Sequence, residues 1–205
     1  MTTDVESARR SGRAALLAAA RAELTQVGVG ELSLRAVARR AGVSHAAPKH
    51  HFAHRAGLLS ALAADGFAAL TERLETVVTG GGSPLHRLVA AGQAYLRFAQ
   101  DEPALFDLMY RPELLSSGDP ALLAGKRAAF GILVQAVDEA RADLRPDIGT
   151  DNIALLAWAT VHGMAVLIRD RALEGVEVAE DAGQSAALAG PLVEALGHIL
   201  SVDSR

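Results

Sequence analysis

Apolar residues recur at spacings of three and four along nearly the whole of this 205-residue sequence. Nowhere do they alternate with the period of two that a half-buried strand requires. A chain patterned in this way hides its apolar surface by packing helix on helix. Composition points the same way, since half the residues are hydrophobic, few are aromatic, and Ala and Leu, the best helix formers, are abundant. No repeat of 20–50 residues is visible. The expectation is an all-α fold of about nine helices, in which a three-helix head with a helix-turn-helix (residues 1–54) precedes a larger helical domain (residues 55–205).

The punctuation of the head is specific. A first helix over about residues 6–27 carries Leu16, Leu17, Ala20, Leu24 and Val27 on one face. The stretch Gly28-Val29-Gly30 ends it, because glycine readily takes the left-handed conformation that closes a helix. Ser33 caps a short second helix with a stripe of Leu34, Val37, Ala38 and Ala41. Ala41-Gly42-Val43-Ser44 then reads as a tight turn in which Gly42 supplies a positive φ, Val43 plugs the space beneath and Ser44 caps a third helix from His45 to about Phe52.

In the body, a long helix is expected from Arg55 to about Thr79, broken by Gly80-Gly81-Gly82. A fifth follows from Ser83-Pro84 to about Gln100, and a sixth covers about residues 103–110. Asp119-Pro120 opens a seventh that ends near Leu144. The eighth, about residues 150–173, is the most apolar segment and is closed by Gly175. The last covers about residues 184–200 and either kinks at Pro191 or begins there; a start at Pro191 suits proline's missing amide better.

The net charge of −4 conceals a split. Residues 1–60 hold nine Arg and Lys against four Asp and Glu, whereas residues 61–205 hold eleven against twenty. A basic head on an acidic body suits a partner made of phosphate. Two short helices joined by a glycine turn are the plan in which the second helix enters the major groove and the first braces it. The outward residues of the third helix, His45, Ala46, Ala47, Lys49 and His50, include no acid that would repel a duplex.

These residues carry a resemblance. Leu32-Ser33-Leu34-Arg35-Ala36-Val37-Ala38, Ala41-Gly42-Val43-Ser44, His51-Phe52, Arg55 and Leu58-Leu59, with Leu16 to Ala20 and Gly28 before them, resemble the TetR family of bacterial transcriptional regulators over roughly residues 10–62. Trp158 and His162-Gly163 resemble the Trp-His-Gly type of C-terminal domain found in some members. The resemblance implies that His45, Ala46 and Ala47 meet base edges, and that Lys49, His50, Arg55 and the Ser33 cap meet phosphate. Arg35 and Ser44 would share that surface. Apart from the family, Lys49 and Arg55 suit backbone contacts, His45 suits a guanine edge, and the methyls of Ala46 and Ala47 suit thymine. Two positions depart from the pattern: Lys49 stands where the family usually has Tyr, and Pro48 removes an amide from the first turn, which should shift the helix start.

The family further implies a homodimer formed through the last two helices and a small, apolar or amphipathic effector held among the middle ones. The sequence offers small residues on the eighth helix (Ala154, Ala157, Ala159, Gly163 and Ala165) and Leu192, Val193, Leu196, Ile199 and Leu200 on the last. Both stripes could equally be core. Candidate pocket residues are Tyr95, Phe98, Phe106, Met109, Tyr110, Phe130, Trp158 and His162, with Met164 beside them; each serves as well for packing. His162, a polar ring in the most apolar helix, needs a partner, either a ligand or another side chain.

Other classes find little support. Cysteine is absent, which removes disulfides and thiolate sites. The histidines of the head lack nearby Asp or Glu and make poor metal ligands, so neither metal nor cofactor is expected. No nucleophile with a base and no phosphate loop after a strand points to an enzyme. No uncharged apolar run of about 18 residues suggests a membrane span, so a cytoplasmic protein is expected. The remaining rival is a helical adaptor that kept the fold and binds protein instead of an operator.

Overall fold

A computed structural model of the chain describes residues 2–175, 179 and 181–202. Among them are ten α-helices and no strand: α1 Thr2–Glu31, α2 Leu34–Arg40, α3 Ala47–Phe52, α4 Arg55–Val78, α5 Pro84–Asp101, α6 Pro103–Met109, α7 Pro120–Glu139, α8 Thr150–Arg169, α9 Ala182–Ala187 and α10 Ala189–Leu200. Short 3-10 turns follow α6 and α7, at Pro112–Leu114 and Arg141–Asp143. The fold is the all-α arrangement expected, with a helix-turn-helix head and a helical C-terminal domain.

Two compact units are formed, one from Met1–Phe67 with Ala104–Lys126 and the other from Ala68–Pro103 with Arg127–Arg205. In the first, Leu16, Leu17, Ala20 and Leu24 of α1 are buried as expected. Val27 is not; it is 39% exposed. Gly28, at φ 73°, breaks the helix immediately after it, so Leu32 rather than Val27 takes the next place in the core. The Ser33 hydroxyl accepts the Ala36 N–H at 3.2 Å and starts α2. Leu58, Leu59, Leu62 and Phe67 of α4 are buried in this unit, as are Leu105, Phe106, Leu108 and Met109 of α6. At Gly66 a β-carbon would stand 2.6 Å from the Met109 sulfur, so a side chain there would make the Met109 thioether shift. The buried Ser60 hydroxyl accepts the Ser116 N–H at 2.8 Å, and Asp119 caps α7 by accepting the Leu122 N–H at 2.9 Å.

In the second unit Ser83 caps α5 through the His86 N–H, with Pro84 in the first turn. Helices α5, α8 and α10 pack on one another. Leu88, Val137, Ala140, Leu144, Ile153, Ala154 and Leu200 form a common core. Helices α7 and α8 both stop earlier than expected. After Glu139 the chain turns through Arg141–Asp143, and the Arg141 guanidinium holds the carbonyls of Arg145, Pro146 and Ile148. Helix α8 ends at Arg169 because Arg171 itself takes the left-handed conformation, at φ 56°. The Arg171 N–H then reaches the Ile168 carbonyl and the Ala172 N–H the Leu167 carbonyl, which satisfies the helix end in a Schellman motif. Gly175, at φ 75°, serves the turn beyond. The C-terminal helix starts at Ala189, two residues before Pro191. First-turn amides have no partner inside a helix, so proline is tolerated there without being the starting residue.

Helices α7 and α8 are long and apolar enough, by length and composition, to cross a membrane. Ala136 and Val137 of α7 and Ile153 and Ala154 of α8 are buried in the core just described.

Candidate nucleic-acid interface

The turn between α2 and α3 is built by the backbone. Gly42 stands at φ 67°, and the Ala41 and Val43 N–H groups return to the carbonyls of Val37 and Ala38 at 2.9 and 3.0 Å. The third helix begins at Ala47 rather than His45, and its first turn is capped by no side chain, so Ser44 does not play the part expected of it. Pro48 supplies the reason. A helix starting at His45 would close its first turn with a bond from residue 48 to the Ser44 carbonyl, and proline has no hydrogen to donate. The Ala47 N–H accordingly takes that carbonyl, at 3.0 Å, and His45 and Ala46 remain in a turn. Val43 is exposed instead of plugging the space beneath; Pro48 and Phe52 are the buried residues of α3.

Ser33, Arg35, Ser44, His45, Ala46, Lys49 and His50 are all exposed, and Ala47 is half-buried. The side chains singled out for a duplex therefore stand at the surface of α2, the turn and α3. Arg39, in the last turn of α2, adds an exposed guanidinium that attention to the third helix alone passes over.

Behind this surface the head is tied by charge. The buried Glu23 carboxylate of α1 pairs with Arg40 of α2 at 2.7 Å, and Arg40 also reaches Gln26. The Arg13 guanidinium lies 5.4 Å above the Phe52 ring. His51, half-buried, packs beside Gly12, and His54 accepts the Gly57 N–H at 3.0 Å through Nδ1, which caps α4. The Arg55 guanidinium, expected at phosphate, turns inward to the carbonyls of Leu32, at 2.9 Å, and Val29. Among the described residues no group of three His, Asp or Glu side chains is placed to hold a metal ion.

The candidate pocket residues fall into two groups. In the first unit the Tyr110 ring meets Phe106, ring centres 5.0 Å apart, and the edge of Phe67, at 5.7 Å, next to buried Met109. In the second, Phe130, Trp158, His162 and Tyr95 form a chain of rings drawn from α7, α8 and α5. The Tyr95 hydroxyl lies 2.9 Å from His162 Nδ1, so the histidine has a side-chain partner. Burial, reinforced by the positive charge of Arg169, holds this ring below the ordinary histidine pKa. Phe98 is fully buried in the same unit beneath Arg73, whose guanidinium lies 5.4 Å above its ring.

The stripes considered for dimerisation divide between inside and outside. Ala154, Ala157, Ala165, Val193 and Leu200 face the core, and Met164 joins them. Leu155, Leu156, Ala159 and Leu167 of α8 are exposed, as are Leu192 and Ile199 of α10. Gly163 has open space where a side chain would point, and Leu196 is half-buried.

Two family models match the sequence. The model for bacterial regulatory proteins of the tetR family covers residues 16–62, and the tetracyclin repressor-like C-terminal domain covers residues 88–190. No curated protein matches significantly. Among solved structures, a protein of unknown function from Rhodococcus sp. RHA1 is 36% identical, with 93% of this chain and 96% of that one aligned and a TM-score of 0.77. A TetR-family transcriptional regulator from Pectobacterium atrosepticum is similar in fold at 22% identity, over 97% and 98% of the two chains, with a TM-score of 0.76. A tetR-family regulatory protein from Rhodococcus RHA1 aligns at 17% identity over 94% and 98%, with a TM-score of 0.68.

Proposed function

The chain belongs to the TetR family of bacterial regulatory proteins, which makes it a DNA-binding transcription regulator and not an enzyme, and we propose that it is a cytoplasmic homodimeric repressor released from a palindromic operator by a small apolar or amphipathic effector. Residues 1–54 are the reading head, and residues 55–205 hold the effector and the dimer contact. The observation that supports this reading is the exposure of Lys49, His45, His50, Arg35, Ser33 and Ser44 on the helix-turn-helix, with α1 and α2 tied by the Glu23–Arg40 pair.

Lys49 and His50 anchor to phosphate, which gives affinity without reading sequence. His45, Ala46 and Ala47 approach base edges; the short α3, with Pro48 in its first turn, leaves His45 and Ala46 on a turn at its entry, so the turn and the helix read together. One such element covers few bases, and two copies on a two-fold axis double the contact. The exposed Leu155, Leu156, Leu167, Leu192 and Ile199 supply an apolar face for that pairing. The half-exposed ring chain of Phe130, Trp158 and His162 is the part of the second unit best suited to an effector. An effector acts by preferring one of two arrangements of the dimer, and a difference of about 1–3 kcal/mol changes operator occupancy about 5- to 150-fold.

A gel shift with the DNA upstream of the protein's own gene, at two salt concentrations, tests the reading. Specific retardation that weakens steeply with salt is expected. No retardation, or a response flat in salt, favours the helical adaptor instead.

A further inference from the structure

The residue that opens α4 is placed where a phosphate ligand is expected, yet its guanidinium faces into the head. Arg55 Nε donates to the Leu32 carbonyl and a terminal nitrogen donates to the Val29 carbonyl. These two carbonyls frame the short segment in which the break at Gly28 turns the chain from α1 into α2. Leu32, inside that segment, is 1% exposed, and Ser33, the next residue, caps α2. The carbonyls after a helix break carry no intrahelical partner and bear partial negative charge, so a planar cation with several fixed donors suits them.

We propose that Arg55 is a positioning residue: it fixes the start of α2, and with it Ser33 and Arg35, relative to the start of α4, and it does not bind phosphate. Neutralising Arg55 thus weakens DNA binding by loosening α2 and not by removing a charge from the interface. Lys49 is the contrast, since its exposed ammonium contributes through charge.

The test compares Arg55→Ala, Arg55→Lys and Lys49→Ala on the upstream duplex of the gel-shift experiment across a salt series. For a phosphate ligand, the slope of log K against log salt falls by about 0.9 per lost contact. Lys49→Ala should show that loss. Both Arg55 variants should bind at least about tenfold more weakly with the slope of the unaltered chain, because lysine keeps the charge but cannot reach two carbonyls at fixed angles. A reduced slope in Arg55→Ala restored by Arg55→Lys, or unchanged affinity in both variants, overturns the proposal. The affinity arm rests on the DNA-binding reading above; a second arm does not. Amide exchange of the free protein at Val37 and Ala38 should quicken at least about tenfold in both Arg55 variants and stay unchanged in Lys49→Ala. If the unaltered chain binds no duplex, the functional reading fails and exchange alone decides; protection equal to the unaltered chain in Arg55→Lys overturns the clamp.

Discussion

The Tyr95 hydroxyl and His162 Nδ1 meet at 2.9 Å and join α5 to α8 across 67 residues of sequence. That bond gives the polar ring of the most apolar helix its partner. Loss of the hydroxyl in Tyr95→Phe should cost about 1 kcal/mol, read as a lower urea midpoint. The sign of the pH effect follows from burial, which lowers the folded pKa of His162. In mild acid the unfolded chain binds this proton more readily than the folded one, so stability is whole above about pH 6.5 and declines as the pH falls below it. Urea midpoints at pH 7.5 and 5.5 should converge in His162→Gln. An equal drop in the variant and the unaltered chain would contradict this.

The corner between α3 and α4 is strained, and its strain is local. Ala53 sits at φ 56°, ψ −54°, and the His54 N–H reaches back to the Phe52 carbonyl at 2.5 Å. This is the γ-turn of positive φ, which is costly for any residue but glycine. Ala53→Gly should stabilise by about 1 kcal/mol. Gly57→Ala should do the reverse, because its methyl would run into the Phe52 carbonyl, a backbone group that cannot swing aside. A loss of about 2 kcal/mol is expected. Denaturant titrations of both variants check the pair; like signs would contradict it.

Glu23 is 7% exposed and Arg40 shields it. Arg40→Ala leaves the carboxylate buried without its cation and should cost about 2 kcal/mol. Adding Glu23→Gln should recover part of that loss, since a neutral amide tolerates the site better. A double variant no more stable than Arg40→Ala would count against the pairing.

The outer face of α8 and α10 is the proposed dimer contact. Leu155→Glu with Ile199→Glu should yield a monomer by sedimentation while far-ultraviolet dichroism stays unchanged, because both residues are exposed in the single chain, at 49% and 65%. An intact dimer would move the contact elsewhere.

Much of the head could be read because its boundaries are set by local chemistry. Ser33 and Ser83 cap the helices their hydroxyls precede, and Gly28 and Gly42 take the positive φ that only a glycine takes cheaply. Elsewhere the sequence misleads. The pattern puts the end of α8 at Gly175, yet Arg171 adopts the left-handed state four residues earlier and binds Glu174. Val43, apolar and expected beneath the turn, lies outside, while Pro48 and Phe52 are the buried residues of α3. The inward turn of Arg55 depends on carbonyls 23 and 26 residues away, and the grouping of Tyr95, Trp158 and His162 depends on how α5 and α8 pack. Helical spacing identifies a buried face without saying what that face meets.

Selection of binding duplexes from a random-sequence pool by the full-length chain tests the central claim most directly. The account predicts enrichment of one inverted repeat, with half-sites that two heads can reach from one side of the duplex, and weaker binding of that selected repeat by Lys49→Ala. A pool that stays random through successive rounds, or a selected repeat that Lys49→Ala binds equally well, would contradict it.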